Sequence, residues 1–379
     1  MSKIRAIFNN SQAAIFGFII LSLGFDFIDK IEIFYEIDFI KFNRILKAIF
    51  LTYSIIFIIS HVKYVQEQLK GLLFIIVLLS IVYVSKNNFS ERYFFEYVRY
   101  VFILLVFPLL FYVYANKSRD LFDKLYKLFK WLIIINAFLI LIGVLFEVKV
   151  FQTYKFDGRF AYNGLILSQG FTPFLYLCAT TIFWVYKDKK MLLLLLTLCC
   201  LSGLKGVYFG EFLLLGLLVL SNKEFKKRFK IIILLILLII FTTLLVTLLL
   251  TPMFVNVLES KGLLSAIFSY RTDNVLEIFS QLNQANFNII IGALETEVVR
   301  LEMQLFDVIL FFGLSGLVAY IFFLCLLYKN IVKGRVAKVF FITILALSAL
   351  SGNLLYIPLS SILMFLVLIA LHNNLNTAP

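Results

Sequence analysis

Apolar runs long enough to cross a lipid bilayer recur from one end of the sequence to the other. A hydrocarbon core of ~30 Å requires roughly 20 apolar residues in a helix, and lipid offers no partner for an unpaired backbone group. Charged residues make up 15% of the chain and its mean hydropathy is +1.00. A soluble globular protein holds about 25% charged residues. The sequence therefore predicts an all-α, polytopic integral membrane protein.

We predict about 12 transmembrane helices in a single integral membrane domain that covers residues 1–379. The first run, from Ala13 to Ile28, has no small-residue cleavage site and is interpreted as a retained helix rather than a signal peptide. The approximate spans are 13–28, 45–62, 71–85, 94–115, 131–148, 165–186, 191–202, 206–220, 231–250, 304–328, 339–350 and 355–371.

Lysine and arginine residues are distributed unevenly between the connections of these spans. With the N-terminus placed in the cytoplasm, the cytoplasmic segments hold 21 of the 35 Lys and Arg residues, and the longer outer segments hold 12. Cytoplasmic loops of membrane proteins are enriched in these residues. The distribution predicts cytoplasmic N- and C-termini. It also explains the net charge of +13 without nucleic acid as a partner.

One lysine interrupts a long apolar stretch, in the segment that reads LSGLKGVYFG (201–210). As a single helix, residues 191–221 would be ~46 Å long at 1.5 Å per residue, which exceeds one bilayer crossing. Two helices joined by a turn at SGLKG keep the basic clusters on either side, KDKK and FKKRFK, in the cytoplasm. Lys205 is therefore predicted to lie in a turn at the outer membrane face.

Cations from three outer segments are predicted to meet at that face. Arg159 lies in the loop 149–164, and Arg271 and Arg300 lie in 251–303, which we predict as one large extracytoplasmic loop. Arginine binds phosphate oxygens bidentately and lysine supplies a point charge. With Lys205, these residues suit a lipid-linked phosphate or diphosphate, and they would stabilise a diphosphate leaving group. The alternative is that they only extend to lipid head groups.

Outer carboxylates are candidates for a general base in transfer onto a sugar hydroxyl. Glu302 is our first choice and Glu297 the second, and Asp273 is a candidate substrate-binding residue close to Arg271. Each is also compatible with a solvated loop charge. The same holds for the other outer carboxylates, which are Asp157, Glu277, Glu295 and Asp307.

Arg99 lies inside a predicted span, in ERYFFEYVRYVF (91–102), with Arg92 and Glu96 on the same helical face. Such a ladder of alternating charges can satisfy itself as structure. An arginine within a membrane is otherwise a functional candidate. Both interpretations stay open, and Arg99 is a candidate substrate-binding residue.

The sequence contains no GxGxxG, Walker A or CxxC motif, and its two histidines have no metal-ligand spacing. We therefore expect no cofactor and no metal site. The four cysteines lie within apolar spans, where we expect them to act as packing residues.

Three segments, in this order, resemble the O-antigen polymerase and ligase family, the Wzy/WaaL-type proteins. GRFAYNG (158–164) resembles the family's Arg-containing segment before a central helix. LSGLKGVYFGEFLLLGLLVL (201–220) resembles its outer-face turn, where Ser or Gly, then Arg or Lys, then Gly opens a helix. The family's large outer loop is resembled by three further stretches, which are SYRTDNVLEIFSQL (269–282), IIIG (289–292) and EMQLFDVILFFGLSGLVAYI (302–321).

The resemblance implies a glycosyl transfer at the outer face of the bacterial cytoplasmic membrane. The donor would be an oligosaccharide linked through a diphosphate to polyprenol, and the other implied partners are membrane lipid and a chain-length regulator protein. Arg159, Lys205 and Arg271 fall on the family's functional basic positions, although many members have Arg where this chain has Lys205. Ligases usually have a His near the end of the large loop. None occurs here, which favours a polymerase.

Three other functions stay open at this point. One is the O-antigen ligase of the same family. A second is a polyprenyl-phosphate-dependent glycosyltransferase, which needs an acidic first outer loop; YEIDF offers Glu36 and Asp38 there. The third is a lipid-linked glycan transporter, which predicts paired charges within several spans and internal repeats.

Overall fold

The computed structural model describes the chain as a helical bundle. The described residues are 11–114, 118–155, 161–167, 169–282, 287–294, 301–350, 352 and 354–374. The predicted all-α architecture is confirmed for this part of the chain, with one short antiparallel hairpin as an addition.

Fifteen α-helices and two short strands make up the regular structure of the described residues, apart from one 3-10 turn at Lys149–Phe151. In chain order they are α1 (Ser11–Tyr35), α2 (Phe42–Ser60), α3 (Val62–Gln68), α4 (Leu72–Ser85), α5 (Glu91–Tyr114), α6 (Ser118–Phe146), α7 (Thr172–Tyr186), α8 (Lys189–Leu201), α9 (Lys205–Ser221), α10 (Lys227–Leu249), α11 (Pro252–Phe268), α12 (Arg271–Leu282), β1 (Phe287–Asn288), β2 (Gly292–Ala293), α13 (Gln304–Asn330), α14 (Gly334–Leu350) and α15 (Pro358–Asn374).

Six of these helices are long and apolar enough to cross a membrane: α1, α2, α5, α6, α10 and α13. Helices α3 and α4, which are bent by 104° to each other, would make a seventh if they form one span. In α10 only 6% of the apolar window is fully buried, so most of its side chains are at least partly exposed. This pattern is compatible with a multi-pass membrane protein.

Each predicted span overlaps one helix, but the count of about 12 crossings stays a prediction. The largest differences are at α6 and α7. Helix α6 begins at Ser118, well before the predicted start, because the basic stretch ahead of the span is helical too; Lys124 and Asp120 pair there at 2.7 Å. Helix α7 begins only at Thr172, after an irregular segment.

Buried polar side chains stabilise that irregular segment before α7. Asn136 Oδ1 on α6 accepts a hydrogen bond from the Leu165 backbone N–H at 2.8 Å. Lys30 Nζ on α1 donates to the carbonyls of Gly164 at 2.7 Å and Ile166 at 3.1 Å. Non-helical backbone at membrane depth needs such partners within the protein. Apolar patterning alone shows the residues but not these partners.

Helix α15 forms the centre of the bundle, since it packs against α5, α6, α7 and α14. Residues 358–371 are buried almost without exception. A helix that is apolar on all sides is stable only when it is enclosed in this way. The segment before α15 therefore has a fixed position, and it reaches the cavity described below.

The segment 251–303 contains regular structure in its described part. It includes α11, α12 and the β1–β2 hairpin, so it is not simply a connection between two spans. Helix α11 is interrupted at Gly262 and helix α13 at Gly313, both with positive φ. That this segment is extracytoplasmic stays a prediction.

Candidate active site

A cavity of about 650 Å³ lies where one end of the bundle meets the segment between α10 and α13. The starts of α7, α9 and α12, the junction of α10 with α11, and three residues before α15 contribute to its wall; these three are Gly352, Tyr356 and Ile357. Its charged lining residues, among those the structure describes, are Lys205, Arg271 and Glu302. On the side of α9, α10 and α11 the wall is apolar, with Leu204, Leu248, Met253 and Phe254.

Lys205 opens helix α9, as predicted from the SGLKG turn. Helix α8 ends at Leu201 and α9 begins at Lys205, so the predicted break between the two helices is confirmed. Gly203 has φ of +65°, and a Cβ built on it would lie 2.5 Å from the Ala161 side chain. Only glycine combines this conformation with so close an approach. The turn therefore places the lysine at the edge of the cavity.

The loop before α7 stabilises this turn through two hydrogen bonds. Thr153 Oγ1 donates to the Ser202 carbonyl at 2.8 Å, and the Tyr162 N–H donates to the Leu201 carbonyl at 2.8 Å. Lys205 Nζ itself donates to the Ala266 carbonyl of α11 at 2.6 Å and lies 4.0 Å from the centroid of the Phe254 ring. The ammonium group thus has an aromatic and a backbone partner while it lines an open space.

Arg271 and Glu302 form an ion pair on the cavity wall. Arg271 Nη2 donates to Glu302 Oε2 at 2.7 Å. The side chain of Glu302 is 69% exposed, whereas that of Arg271 is 19% exposed. The carboxylate is therefore accessible from the cavity, and the guanidinium is held partly within the wall.

Asp307 fixes the backbone on both sides of Glu302. It is buried, and its two carboxylate oxygens accept from the N–H groups of Leu301 at 2.8 Å and Met303 at 3.2 Å. The Gly352 N–H donates to the Glu302 carbonyl at 2.9 Å, and Glu302 itself has φ of +55°. Asp307 therefore positions Glu302 and does not line the cavity. Its interpretation as a solvated loop charge was wrong.

The predicted site residues divide into three groups. Lys205, Arg271 and Glu302 line one cavity, although they are far apart in the sequence. Three others lie outside the described residues: Arg159, Arg300 and Glu297. The chain on both sides of Arg159 reaches the site, since Tyr154 lines the cavity and Ala161 lies against the SGLKG turn.

Arg99 and Asp273 do not line the cavity. Arg99 Nη1 donates to Glu96 Oε1 at 3.2 Å, which agrees with the self-satisfying ladder. Its guanidinium carbon lies 4.8 Å from the Tyr356 ring centroid, and Tyr356 Oη donates to Glu96 Oε1 at 3.1 Å. Since Tyr356 lines the cavity, Arg99 lies directly behind its wall. Asp273, in the first turn of α12, has one carboxylate oxygen buried without a hydrogen-bond partner among the described residues.

Sequence reasoning missed the neutral polar part of the wall. It includes Tyr154, Gln169, Asn274 and Tyr356. Asn274 is three residues after Arg271, and this helical spacing puts both on one face, so that residue could have been found. The others come from segments that only the fold brings together.

Outside the cavity, Glu36 of the acidic loop YEIDF forms an ion pair with the segment that follows α6. Lys155 Nζ donates to Glu36 Oε1 at 2.6 Å. This hydrogen bond and the charge of Lys155 lower the pKa of the Glu36 carboxyl below its ordinary value of 4.5. Among the described residues, no three His, Cys, Asp or Glu side chains are grouped closely enough to hold a metal ion.

Compared with known proteins, the chain matches no family model, no curated protein and no solved structure.

Proposed function

We propose that this protein is a polysaccharide polymerase that joins polyprenyl-diphosphate-linked oligosaccharide repeat units of an O-antigen or capsule. The observation that carries the proposal is the convergence of Lys205, Arg271 and Glu302 on one cavity. Two cations beside a carboxylate suit a transfer in which a diphosphate leaves and a hydroxyl attacks. The resemblance to the Wzy/WaaL-type proteins supports the same reaction.

In the proposed reaction, a hydroxyl of the acceptor glycan attacks the anomeric carbon of the donor sugar. A new glycosidic C–O bond forms while the bond from that carbon to the diphosphate oxygen breaks. The proton of the hydroxyl passes to Glu302, and polyprenyl diphosphate leaves with both electrons of the broken bond. Lys205 and Arg271 stabilise the negative charge that develops on it. The sugar–diphosphate bond supplies the free energy, so the reaction requires no nucleotide.

The Arg271–Glu302 ion pair has a direct part in this scheme. With the cavity free of substrate, the guanidinium neutralises the carboxylate. A diphosphate, with its higher charge, competes for the guanidinium, because bidentate Arg–phosphate contacts are among the stronger hydrogen bonds. Glu302 then becomes available to accept a proton. Donor binding and base activation are coupled in this way.

The size and lining of the cavity agree with this class of ligand. Small-molecule sites commonly have volumes of about 300 to 1,000 Å³, so a cavity of about 650 Å³ accepts a diphosphate with its first sugars. The remaining sugars extend out of the protein. Neutral groups such as Gln169 and Asn274 offer hydrogen bonds to hydroxyls, and the apolar side of the wall suits the first part of a lipid tail.

We place the cavity at the outer face of the bacterial cytoplasmic membrane. If the twelve predicted spans all cross the membrane, the distribution of Lys and Arg predicts cytoplasmic termini and puts Lys205, Arg271 and Glu302 on the side opposite the basic connections. Membrane lipid surrounds the bundle, and a chain-length regulator is the protein partner that the family resemblance suggests.

The first test removes the two cations separately. A null strain complemented with Lys205→Ala or Arg271→Ala should lose long polymer and accumulate single repeats, with chain growth slowed on the order of 10²-fold, as for other preorganised charge-stabilising groups. Lys261→Ala is the matched control, because Lys261 lies on α11 and contacts Tyr270 without lining the cavity. Normal long chains with Arg271→Ala at normal protein level would falsify the assigned role.

A deletion strain separates the polymerase from its alternatives. Single repeat units, both on the lipid carrier and on the outer core, are the expected result. Polymer that stays on the lipid carrier would instead identify a ligase. Proteoliposomes with purified lipid-linked repeats complete the test. Translocation without chain growth would identify a transporter. Chain growth that depends on a metal would identify the polyprenyl-phosphate-dependent transferase.

Glu302→Gln tests the proton transfer in the same proteoliposomes. The variant retains the shape of the side chain but accepts no proton, so kcat should fall by about 10² to 10⁴-fold. KM for the donor should fall as well, because Arg271 no longer pairs with a carboxylate that competes with the diphosphate. An unchanged kcat would show that Glu302 is not the base.

A further inference from the structure

The β1–β2 hairpin is inserted into the break of helix α13. A Cβ built on Gly313 would lie 2.4 Å from the Ile290 carbonyl group, and one on Gly292 would lie 2.6 Å from the Phe311 carbonyl oxygen. Gly313 has φ of 66° and ψ of −160°, a conformation that is essentially confined to glycine. The two backbones are therefore in direct contact at this position.

The interruption of α13 and the hairpin turn satisfy each other's backbone groups. The N–H groups of Leu314 and Ser315 donate to the carbonyls of Ile289 at 2.8 Å and Ile290 at 3.1 Å. Within the turn, Asn288 Oδ1 accepts from the Ile290 N–H at 2.9 Å. The turn thus obtains from the protein the hydrogen bonds that a loop in water obtains from solvent.

The second strand of the hairpin is held in the same way by the segment between α4 and α5. Lys86 Nζ donates to the Ala293 carbonyl at 3.1 Å and also to the Phe311 carbonyl. Tyr93 Oη donates to the Ala293 carbonyl at 2.8 Å, and Asn88 Nδ2 to the Leu294 carbonyl at 3.0 Å. Lipid supplies no such donors, so a non-helical segment at membrane depth requires them from the protein.

The contact lies well below the polar end of α13. Between Asp307 and Lys329 this helix has 21 residues without a charge, which is ~31 Å and matches the hydrocarbon core. Gly313 lies six residues past Asp307, or roughly 9 Å along the helix axis. The hairpin turn that contacts Gly313 therefore lies at the depth of the acyl chains.

The outer surface of the hairpin is apolar at that depth. Ile289 and Ile290 are 63% and 59% exposed. Helix α13 exposes a stripe of apolar side chains that starts beside the hairpin and continues toward the C-terminal end of the helix; it comprises Leu314, Val318, Ile321 and Phe322. A lipid-facing helix shows this pattern. The hairpin and the stripe form one continuous apolar surface.

We infer that the β1–β2 hairpin is a re-entrant segment whose Ile289–Ile290 tip contacts the acyl chains of the bilayer. The segment that carries Arg271 is then attached to the membrane at two places, through α10 and through the hairpin. This insertion restricts how far Arg271 can move from Lys205. The inference does not depend on which reaction the cavity performs.

The test measures where a nitroxide label at the hairpin tip lies. The label is attached to Ile290→Cys after the two exposed cysteines, Cys200 and Cys325, are replaced by Ser; Cys178 and Cys199 are buried. The protein is reconstituted in vesicles of phosphatidylethanolamine and phosphatidylglycerol. Collision rates with oxygen, which concentrates in hydrocarbon, and with a water-soluble nickel chelate are then compared.

Two matched labels calibrate the result. Ile239→Cys, exposed in the middle of α10, reports the hydrocarbon core, and Glu224→Cys, exposed between α9 and α10, reports water. The oxygen-to-nickel ratio at Ile290→Cys should be close to that of the first and on the order of tenfold above the second, because the chelate does not enter the core.

A ratio like that of Glu224→Cys would overturn the inference and place the hairpin in water. Low collision rates with both reagents would overturn it as well, because they would mean that another protein surface, such as a second copy, covers the tip. Ile289→Cys provides an independent label in the same turn, so the test does not depend on the folding of one variant.

Discussion

Two lysines in apolar sequence illustrate two different ways in which a membrane protein accommodates a cation. Lys205 begins α9, is half-buried and lines the cavity, and the Ala266 carbonyl and the Phe254 ring are among its partners. Lys86 follows α4, is 6% exposed, and donates to two carbonyls and a tyrosine hydroxyl. The first ammonium has room for a ligand beside it. The second has all its hydrogen-bonding capacity used by the protein.

The surroundings of the two lysines also differ, since Lys205 lies beside an open space and Lys86 lies beside close backbone contacts. The turn before Lys205 is held by hydrogen bonds from Thr153 and Tyr162 and opens on a space of about 650 Å³. The Lys86 region joins the hairpin to the break of α13, where two glycines bring backbones into contact. We propose that the Lys205 region serves ligand binding, whereas the Lys86 region serves cohesion of the fold.

The largest effect is expected from adding a methyl group at the glycine of each region. Gly313→Ala places a Cβ against the Ile290 backbone in a conformation that only glycine adopts readily, and we expect a loss of about 3 kcal/mol or more in the free energy of unfolding. Gly203→Ala meets Ala161, at 2.5 Å from its Cβ and 3.5 Å from its Cα, and we expect the backbone strain and the overpacking together to cost about 2 kcal/mol. Thermal unfolding in detergent measures both.

Equal losses of unfolding free energy in the two glycine variants would contradict this prediction. They would mean that the hairpin can separate from α13 at little cost, and that the two regions do not differ in rigidity. Gly17→Ala is the control, because it lies within α1 and no atom lies within 4 Å of the added Cβ.

A smaller effect is expected when the lysines are replaced by methionine. Lys86→Met leaves the Phe311 carbonyl without its donor in a buried place, which should cost about 2 kcal/mol of stability. Lys205→Met leaves the Ala266 carbonyl beside the cavity, where water can replace the ammonium, and it should cost less than about 1 kcal/mol.

The order of the two lysine variants should be reversed when chain-growth activity is measured instead of stability. Lys205→Met should lose most chain growth while the protein unfolds at nearly the original temperature, whereas Lys86→Met should lose activity only in proportion to the folded protein that remains. If Lys205→Met were the less stable of the two, the assignment of Lys205 to binding rather than to structure would be wrong.

The two lysines also show which features of the fold can be predicted from the sequence. Lys205 lies in a Gly-bounded turn inside 31 apolar residues, so length and charge alone predict the break, and α9 begins where they indicate. Lys86 precedes two asparagines at the end of an apolar run, a common pattern at a membrane interface. Its partners at Ala293 and Phe311 lie more than 200 residues away, and no local pattern encodes them.

The site was predictable to a similar degree. The sequence predicts that Arg271 and Glu302 lie in the same site, but it does not predict that they pair directly. The structure adds the 2.7 Å hydrogen bond between them. Asp307 was considered as a loop charge, because sequence alone does not show that its two oxygens accept the N–H groups that flank Glu302. The neutral part of the wall depends on segments that meet only in the fold.

The smallest effect concerns an ion pair next to the binding region. Glu36 and Lys155 join the end of α1 to the segment whose Thr153 holds the SGLKG turn. Because Lys155 lowers the pKa of Glu36, the carboxylate stabilises the folded state above its ordinary pKa of 4.5, and this contribution is lost as the pH falls below that value. Glu36 is exposed, so the effect is screened by salt.

Unfolding temperatures of wild type and Glu36→Gln should therefore differ slightly at neutral pH and low salt, and converge at high salt or at acidic pH. A difference that persists in high salt would show that the pair is shielded from solvent and that the binding region is held as firmly as the hairpin.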